Sequence, residues 1–203
     1  MRRAVDLIVF FVLLSLCLSC QHKMKPGDYV KYVTDKENGL KKTTQIDGLE
    51  FCMQYRPYDY ILLMENRGDM SNDDLIKRIS DLRGTAWFTI TLKRMDNTIT
   101  PLRYGIATIE EYNKRLDYYL NEASKDIRLV YGKDTMQPVS YLFENNYNLT
   151  PQETMIVGFY LPQGENYPRQ TMRLSFFDRI FKTGIINAQY SDEILNNIPK
   201  LVY

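Results

Sequence analysis

Several segments of the chain alternate apolar and polar residues, the pattern typical of β-strands that bury one face. Between residues 28 and 56 we expect two or three strands, and the clearest of them would bury Leu49, Phe51, Met53 and Tyr55. The stretch TAWFTITLKR at residues 85–94 gives the strongest strand pattern. Five more strands are predicted, at residues 127–131, 139–144, 154–161, 171–177 and 184–190.

Two other segments carry apolar residues at the three- and four-residue spacing of an amphipathic helix. Ser71 followed by Asp74 indicates the capped start of a first helix, which would end at Gly84. Its apolar face would consist of Leu75, Ile76, Ile79 and Leu82. Thr108 followed by Glu111 indicates the capped start of a second helix. Its apolar stripe would consist of Ile109, Tyr112, Leu116, Tyr119, Leu120 and Ala123.

The order of these elements indicates the fold class. Pro57 predicts the start of a further short helix across residues 58–66. Strands that follow one another without intervening helices favour antiparallel pairing over a doubly wound parallel sheet. We therefore predict an α+β fold, in which two or three helices pack on an antiparallel β-sheet and the C-terminal half is rich in β-structure.

The N-terminal segment has a different pattern. Arg2 and Arg3 precede an apolar run at residues 7–18, which is shorter than the roughly 20 residues that cross a bilayer. A basic head, a short apolar run and then small residues are typical of a secretory signal peptide. The small residue Ser19 precedes Cys20, and this ending resembles the lipobox of bacterial lipoprotein precursors.

The resemblance implies cleavage between Ser19 and Cys20 and attachment of acyl chains to Cys20. Residues 1–19 would then be the signal peptide, residues 20–27 a lipidated tether and residues 28–203 one globular domain. It further implies a location in the bacterial cell envelope, and Gln21, in place of an aspartate retention signal, favours the outer membrane facing the periplasm. An ordinary cleaved signal peptide and an uncleaved anchor across residues 4–20 are the alternatives.

Composition and charge exclude several classes of protein. The chain of 203 residues has 26 basic and 25 acidic side chains, and loss of residues 1–19 would leave equal numbers of each. This balance gives no electrostatic basis for nucleic-acid binding. An apolar content of 44% indicates a folded domain rather than a disordered one.

The residues that most catalytic and cofactor sites require are scarce. The single histidine, His22, lies in the expected tether, and Cys52 would be the one cysteine in the domain. Catalytic triads and zinc sites need more than a histidine in a tether and one cysteine. Cys52 is expected to be a small buried side chain. No phosphate-binding glycine motif is present. We therefore predict no catalytic residue, metal or cofactor, although a pair of carboxylates, as in a glycosidase, stays open.

Tyrosine is unusually frequent, with 16 residues. Its apolar ring and polar tip suit contact surfaces as well as cores. Arg56, Tyr58 and Tyr60 form the densest aromatic and basic cluster, and Tyr118 lies on the predicted polar face of the second helix. These four residues are the candidate contact surface. Thr135, between Asp134 and Met136, resembles a site of bacterial O-glycosylation.

Three functional hypotheses follow. The first is a membrane-anchored envelope lipoprotein that acts as a non-catalytic docking or assembly subunit for another envelope protein. The second is a lipoprotein that binds a glycan or a peptide, which would need a row of exposed aromatic rings. The third, which has the least support, is a hydrolase that uses two carboxylates.

Overall fold

Residues 23–65, 70–147, 149–161 and 169–202 are described in a computed structural model of the chain. Within these ranges the α-helices are α1 (Pro26–Thr34), α2 (Tyr58–Glu65), α3 (Asn72–Leu82), α4 (Ile109–Asp117) and α5 (Asp192–Asn196). The strands are β1 (Lys23–Met24), β2 (Lys41–Ile46), β3 (Leu49–Arg56), β4 (Thr85–Arg94), β5 (Ile127–Tyr131), β6 (Asp134–Met136), β7 (Ser140–Glu144), β8 (Gln152–Tyr160), β9 (Met172–Asp178), β10 (Gly184–Tyr190) and β11 (Lys200–Leu201). No helix in the described ranges is both long enough and apolar enough to cross a membrane.

The larger sheet has five antiparallel strands in the order β2-β3-β4-β8-β7. Its strands form because apolar residues alternate with polar ones, so that one face is buried and the other carries threonine and charged residues. The predicted face of β3 is buried as expected. Cys52 points to the opposite face, and it is also buried, with a free thiol.

The smaller sheet has four antiparallel strands in the order β10-β9-β5-β6. Its apolar face packs against that of the larger sheet, and aromatic rings fill the space between them. The ring centroids of Phe51 and Phe176 are 6.4 Å apart, and those of Phe88 and Tyr190 are 5.5 Å apart. A third small sheet pairs β1 with β11 in parallel. The main core therefore lies between two antiparallel sheets.

The helices lie around the two sheets. Tyr29 and Val33 of α1 and Leu195 of α5 are buried in the main core. Ile61 and Leu62 of α2 and Leu82 of α3 form a second buried cluster, against which Trp87 of β4 packs. Both predicted caps are present, because Ser71 and Thr108 each accept a hydrogen bond from the backbone three residues ahead. Such caps satisfy amide groups that the first helical turn leaves free.

The predicted fold class is confirmed: antiparallel sheets combine with helices, and the C-terminal half is rich in β-structure. The described ranges hold five α-helices, so the expected two or three was too few. The range of residues 28–56, where we expected two or three strands, holds two strands, β2 and β3, and most of the helix α1, which was not predicted. Residues 23–27, expected in a tether, belong to the fold, because Lys23–Met24 pairs with Lys200–Leu201 and Pro26 begins α1.

Two predicted helix faces also differ from the structure. Ile76, Ile109 and Leu120 are exposed rather than packed in the core. After α4 the chain continues as one π-helical turn at Tyr118–Glu122. This turn holds an extra residue and shifts the later side chains around the axis. Tyr119 and Ala123 are fully buried, as the predicted stripe requires, whereas Leu120 faces outward.

Candidate functional site

Three of the four predicted contact residues lie together. Arg56 ends β3, Pro57 follows, and Tyr58 begins α2. The guanidinium carbon of Arg56 is 5.6 Å from the centre of the Tyr60 ring, and that of Arg83 is 5.9 Å from the centre of the Tyr58 ring. Both distances suit a cation–π interaction. We call Arg56, Tyr58, Tyr60 and Arg83 the turn cluster.

The tyrosines of the turn cluster also pack against buried residues and stabilise the fold. Tyr58 packs against the Ile61, Leu62 and Leu82 cluster, and Tyr60 packs against the main core. Both rings are half-buried. The cluster therefore offers arginine groups and ring edges to a partner, rather than the open ring faces on which a sugar stacks.

The fourth predicted residue, Tyr118, belongs to a different group of contacts. Its ring lies 5.2 Å from that of Tyr119, and its hydroxyl donates a hydrogen bond of 2.9 Å to Asp126. Asp126 also pairs with Arg179 at 2.6 Å. Burial and the nearby Asp126 carboxylate raise the pKa of Tyr118. Tyr118 is therefore half-buried in a structural network and not on an open polar face.

The remaining predicted sites are the cleavage and lipid-attachment site at Ser19 and Cys20 and the O-glycosylation site at Thr135. Ser19 and Cys20 lie outside the described residues, so cleavage and lipid attachment there stay predictions. Thr135 is exposed in β6, which is the edge strand of the smaller sheet. Its hydroxyl is therefore accessible, and O-glycosylation of Thr135 stays a prediction too.

A cleft that the sequence analysis did not identify lies at the start of α4. It has a volume of about 320 Å³ and is lined by Arg103, Ile106, Ala107, Thr108, Ile109 and Tyr112. Most of the lining is apolar, and Arg103 supplies its one charged group. Ile109, the first residue of α4, keeps 64% of its surface exposed. The cleft therefore presents apolar surface to solvent next to a cation.

Local hydrogen bonds hold the cleft in shape. Thr108 accepts a bond of 3.2 Å from the Glu111 amide, and Glu111 accepts one of 2.7 Å from the Ala107 amide. Arg115 donates to the carbonyl oxygens of Pro101 and Tyr104, at 3.1 and 2.6 Å. These bonds tie the loop before α4 to the helix itself. A cleft fixed in this way loses little conformational entropy when a partner binds.

The part of the chain that precedes the cleft is also apolar and cationic. Met95, Ile99 and Tyr104, all from the segment that leads from β4 to α4, are exposed. The guanidinium carbon of Arg94 lies 3.5 Å from the centre of the Tyr104 ring. Arg94 in turn pairs with Asp96, and this contact is the largest cause that lowers the Asp96 pKa to about 2. The segment thus offers aromatic and apolar surface flanked by arginines.

The carboxylates of the described residues are the groups that the hydrolase hypothesis concerns. No group of three His, Cys, Asp or Glu side chains within them is placed to hold a metal ion. The two buried carboxylates both accept backbone hydrogen bonds: Glu153 from the Leu102 amide, and Asp178 from the Ile180 and Thr183 amides. Burial raises the pKa of Glu153, while bonds from Leu102 and Thr100 oppose that shift. Neither carboxylate lines the cleft.

Comparison with protein-family models, curated proteins and solved structures gave no match to this chain. Sequence reasoning assigned Ile109 and Tyr112 to a core stripe and passed over Arg103 and Ile106. One signal was available: Ile106 and Ile109 lie on either side of the cap residue Thr108, at the turn where the chain enters the helix.

Proposed function

We propose that this chain is a bacterial envelope lipoprotein, anchored through Cys20, whose folded domain is a non-catalytic docking subunit for another envelope protein. The outer membrane, facing the periplasm, is the favoured location. The anchor rests on the N-terminal sequence pattern. The docking role rests on the cleft beside α4, which combines a fixed backbone, an exposed isoleucine and a single arginine.

The chemistry of the cleft favours a protein partner. Its volume of about 320 Å³ is at the lower end of the range for ligand pockets, and its mostly apolar lining suits one or two apolar side chains of a protein. Arg103 lies with its guanidinium carbon 5.7 Å from the centre of the Tyr112 ring, at the side of the apolar surface. We infer that the partner inserts an apolar residue against Ile109 and places a carboxylate or carbonyl group near Arg103.

The experiment is co-purification from detergent-solubilised native membranes with the full-length chain as bait. Ile109→Ser should reduce recovery of a stoichiometric partner about tenfold or more, because burying an isoleucine is worth roughly 1.5–3 kcal/mol. Ile76→Ser is the matched control, since Ile76 is 67% exposed on α3 and lies outside the cleft lining. Equal recovery with both variants, or a bait that purifies alone, would refute the docking role at this cleft.

A peptide-binding lipoprotein is the second candidate, because the same cleft would accept a short apolar segment with an acidic group. Glycan binding has weaker support, since Tyr118 lies in contacts separate from Tyr58 and Tyr60 and both of those rings are half-buried. If the recovered partner is a heterogeneous set of peptides rather than one protein, the peptide-binding role replaces the docking role.

A further inference from the structure

The fold begins very close to the expected lipid. Gln21 and His22 alone separate Cys20 from Lys23, which is the first residue of β1. Three residue steps of extended chain span at most about 11 Å. An acylated Cys20 would therefore hold the edge formed by β1 and β11 at the bilayer surface. This step rests on the anchor in the proposed function.

That edge carries an unusual arrangement of lysines. Lys23 lies directly opposite Lys200 in the parallel pairing of β1 with β11, and Lys25 follows immediately. All three side chains are exposed. Like charges placed opposite each other on neighbouring strands destabilise the pairing. A pair of this kind is favoured where an anion lies between or above the two ammonium groups.

Within the described ranges, no carboxylate forms an ion pair with these lysines. The nearest acid in sequence, Asp28, lies in the first turn of α1, where its charge complements the helix dipole. Lys31, in the last turn of α1, adds a further exposed cation nearby in sequence. The positive charge of the edge is thus left for an external anion.

We propose that Lys23, Lys25 and Lys200 form a membrane-facing lysine rim that binds the phosphates of anionic phospholipid headgroups. The acyl chains hold the domain on the membrane, and the rim fixes which side of the domain faces it. A lysine at an anionic membrane surface strengthens attachment about fivefold. Three such contacts are enough to favour one orientation of a domain that the lipid alone would leave free to rotate.

The test is amine labelling of the full-length, matured protein in vesicles, after mass spectrometry has verified the lipid on Cys20. The vesicles contain phosphatidylcholine alone or mixed with phosphatidylglycerol, and a membrane-impermeant reagent labels lysines, which are then quantified peptide by peptide. We expect Lys23, Lys25 and Lys200 to react about fivefold more slowly in the anionic vesicles. High salt should remove the difference because it screens the headgroup charge.

The controls are Lys77, Lys114 and Lys133, which are exposed in other parts of the fold and should react equally in both vesicles. Equal rates for the rim lysines in the two vesicles would overturn the proposal. Equal protection of the control lysines would do so as well, since no single face would then meet the lipid. Protection in native membranes but in neither vesicle would assign the rim to a protein partner instead. None of these outcomes bears on the cleft, whose partner is measured separately.

Discussion

Three fully buried tyrosines differ in whether their hydroxyl groups form hydrogen bonds, and so in their effect on stability. Tyr29, Tyr119 and Tyr190 are each 0% exposed, and burial raises the pKa of all three hydroxyls. The Tyr190 hydroxyl donates a 2.9 Å hydrogen bond to the backbone oxygen of Met53 and so links the two sheets. The hydroxyls of Tyr29 and Tyr119 have no hydrogen-bond partner among the described residues. A buried polar group without a partner reduces stability.

Replacement of each tyrosine by phenylalanine tests this difference. Tyr190→Phe should lower the free energy of unfolding by about 1 kcal/mol, because a buried hydrogen bond is lost. Tyr29→Phe and Tyr119→Phe should leave it unchanged or raise it by up to about 1 kcal/mol, because each removes an unsatisfied hydroxyl. Urea unfolding measures the free energy of unfolding of all three variants, and each variant serves as a control for the others. If Tyr29→Phe or Tyr119→Phe lowers the free energy of unfolding as much as Tyr190→Phe does, the hydroxyl groups of Tyr29 and Tyr119 are not unsatisfied.

At the scale of elements, the strands were the most predictable part of the chain. β4, β5 and β10 have the predicted bounds, and β7, β8 and β9 differ from the prediction by one or two residues at their ends. Alternation gives a reliable signal here because both sheets bury one face and expose the other. The short strands β1, β6 and β11 carry too few residues to show any alternation.

The helices were harder to predict, for two physical reasons. Tyrosine and valine in α1 favour strands, and tertiary packing of Tyr29 and Val33 overrides that preference. Pro26 at the first helical position was the one local signal for α1. The π-helical turn after α4 breaks the regular period, so a stripe drawn at 100° per residue could not place Leu120.

The contact between β4 and β8 gives a prediction at this scale. Gly158 lies opposite Trp87, and an added Cβ would stand 2.9 Å from the tryptophan ring and 3.1 Å from the Thr85 methyl carbon. Gly158→Ala should therefore cost about 1–3 kcal/mol of stability. Urea unfolding measures the loss, and because Trp87 is the only tryptophan, a shift in fluorescence emission reports movement of its ring.

Gly27→Ala is the control for this variant. Gly27 lies in α1, where an added Cβ meets no atom within 4 Å. Alanine there should leave stability unchanged or raise it by up to about 1 kcal/mol, because it restricts the unfolded chain and suits a helix. If Gly158→Ala proves as stable as Gly27→Ala with unchanged emission, the close approach of Trp87 to β8 is wrong.

At the scale of the whole molecule, the candidate site was predictable only in part. Local sequence brought Arg56, Tyr58 and Tyr60 together because they span a single turn between a strand and a helix. The cleft depends on Arg115 reaching back to the carbonyls of Pro101 and Tyr104, a contact between segments that local patterns do not reveal. The lysine rim depends on the pairing of the two ends of the described chain, which brings residue 23 beside residue 200.

Proteolysis by trypsin tests the pairing of β1 with β11. The Lys23–Met24 bond is a trypsin site in β1, whereas Pro26 protects the bond after Lys25. β1 is held by β11 and by a 2.9 Å hydrogen bond from the Val202 amide to the Met24 carbonyl. Removal of residues 200–203 should let β1 open more often and speed cleavage after Lys23 roughly thirtyfold, because two hydrogen bonds of about 1 kcal/mol each are lost. Cleavage after Lys133, in the β5–β6 turn, is the internal control and should keep its rate. Acceleration at both sites would indicate general unfolding, and equal rates at Lys23 in the two proteins would show that β11 does not secure the N-terminal edge.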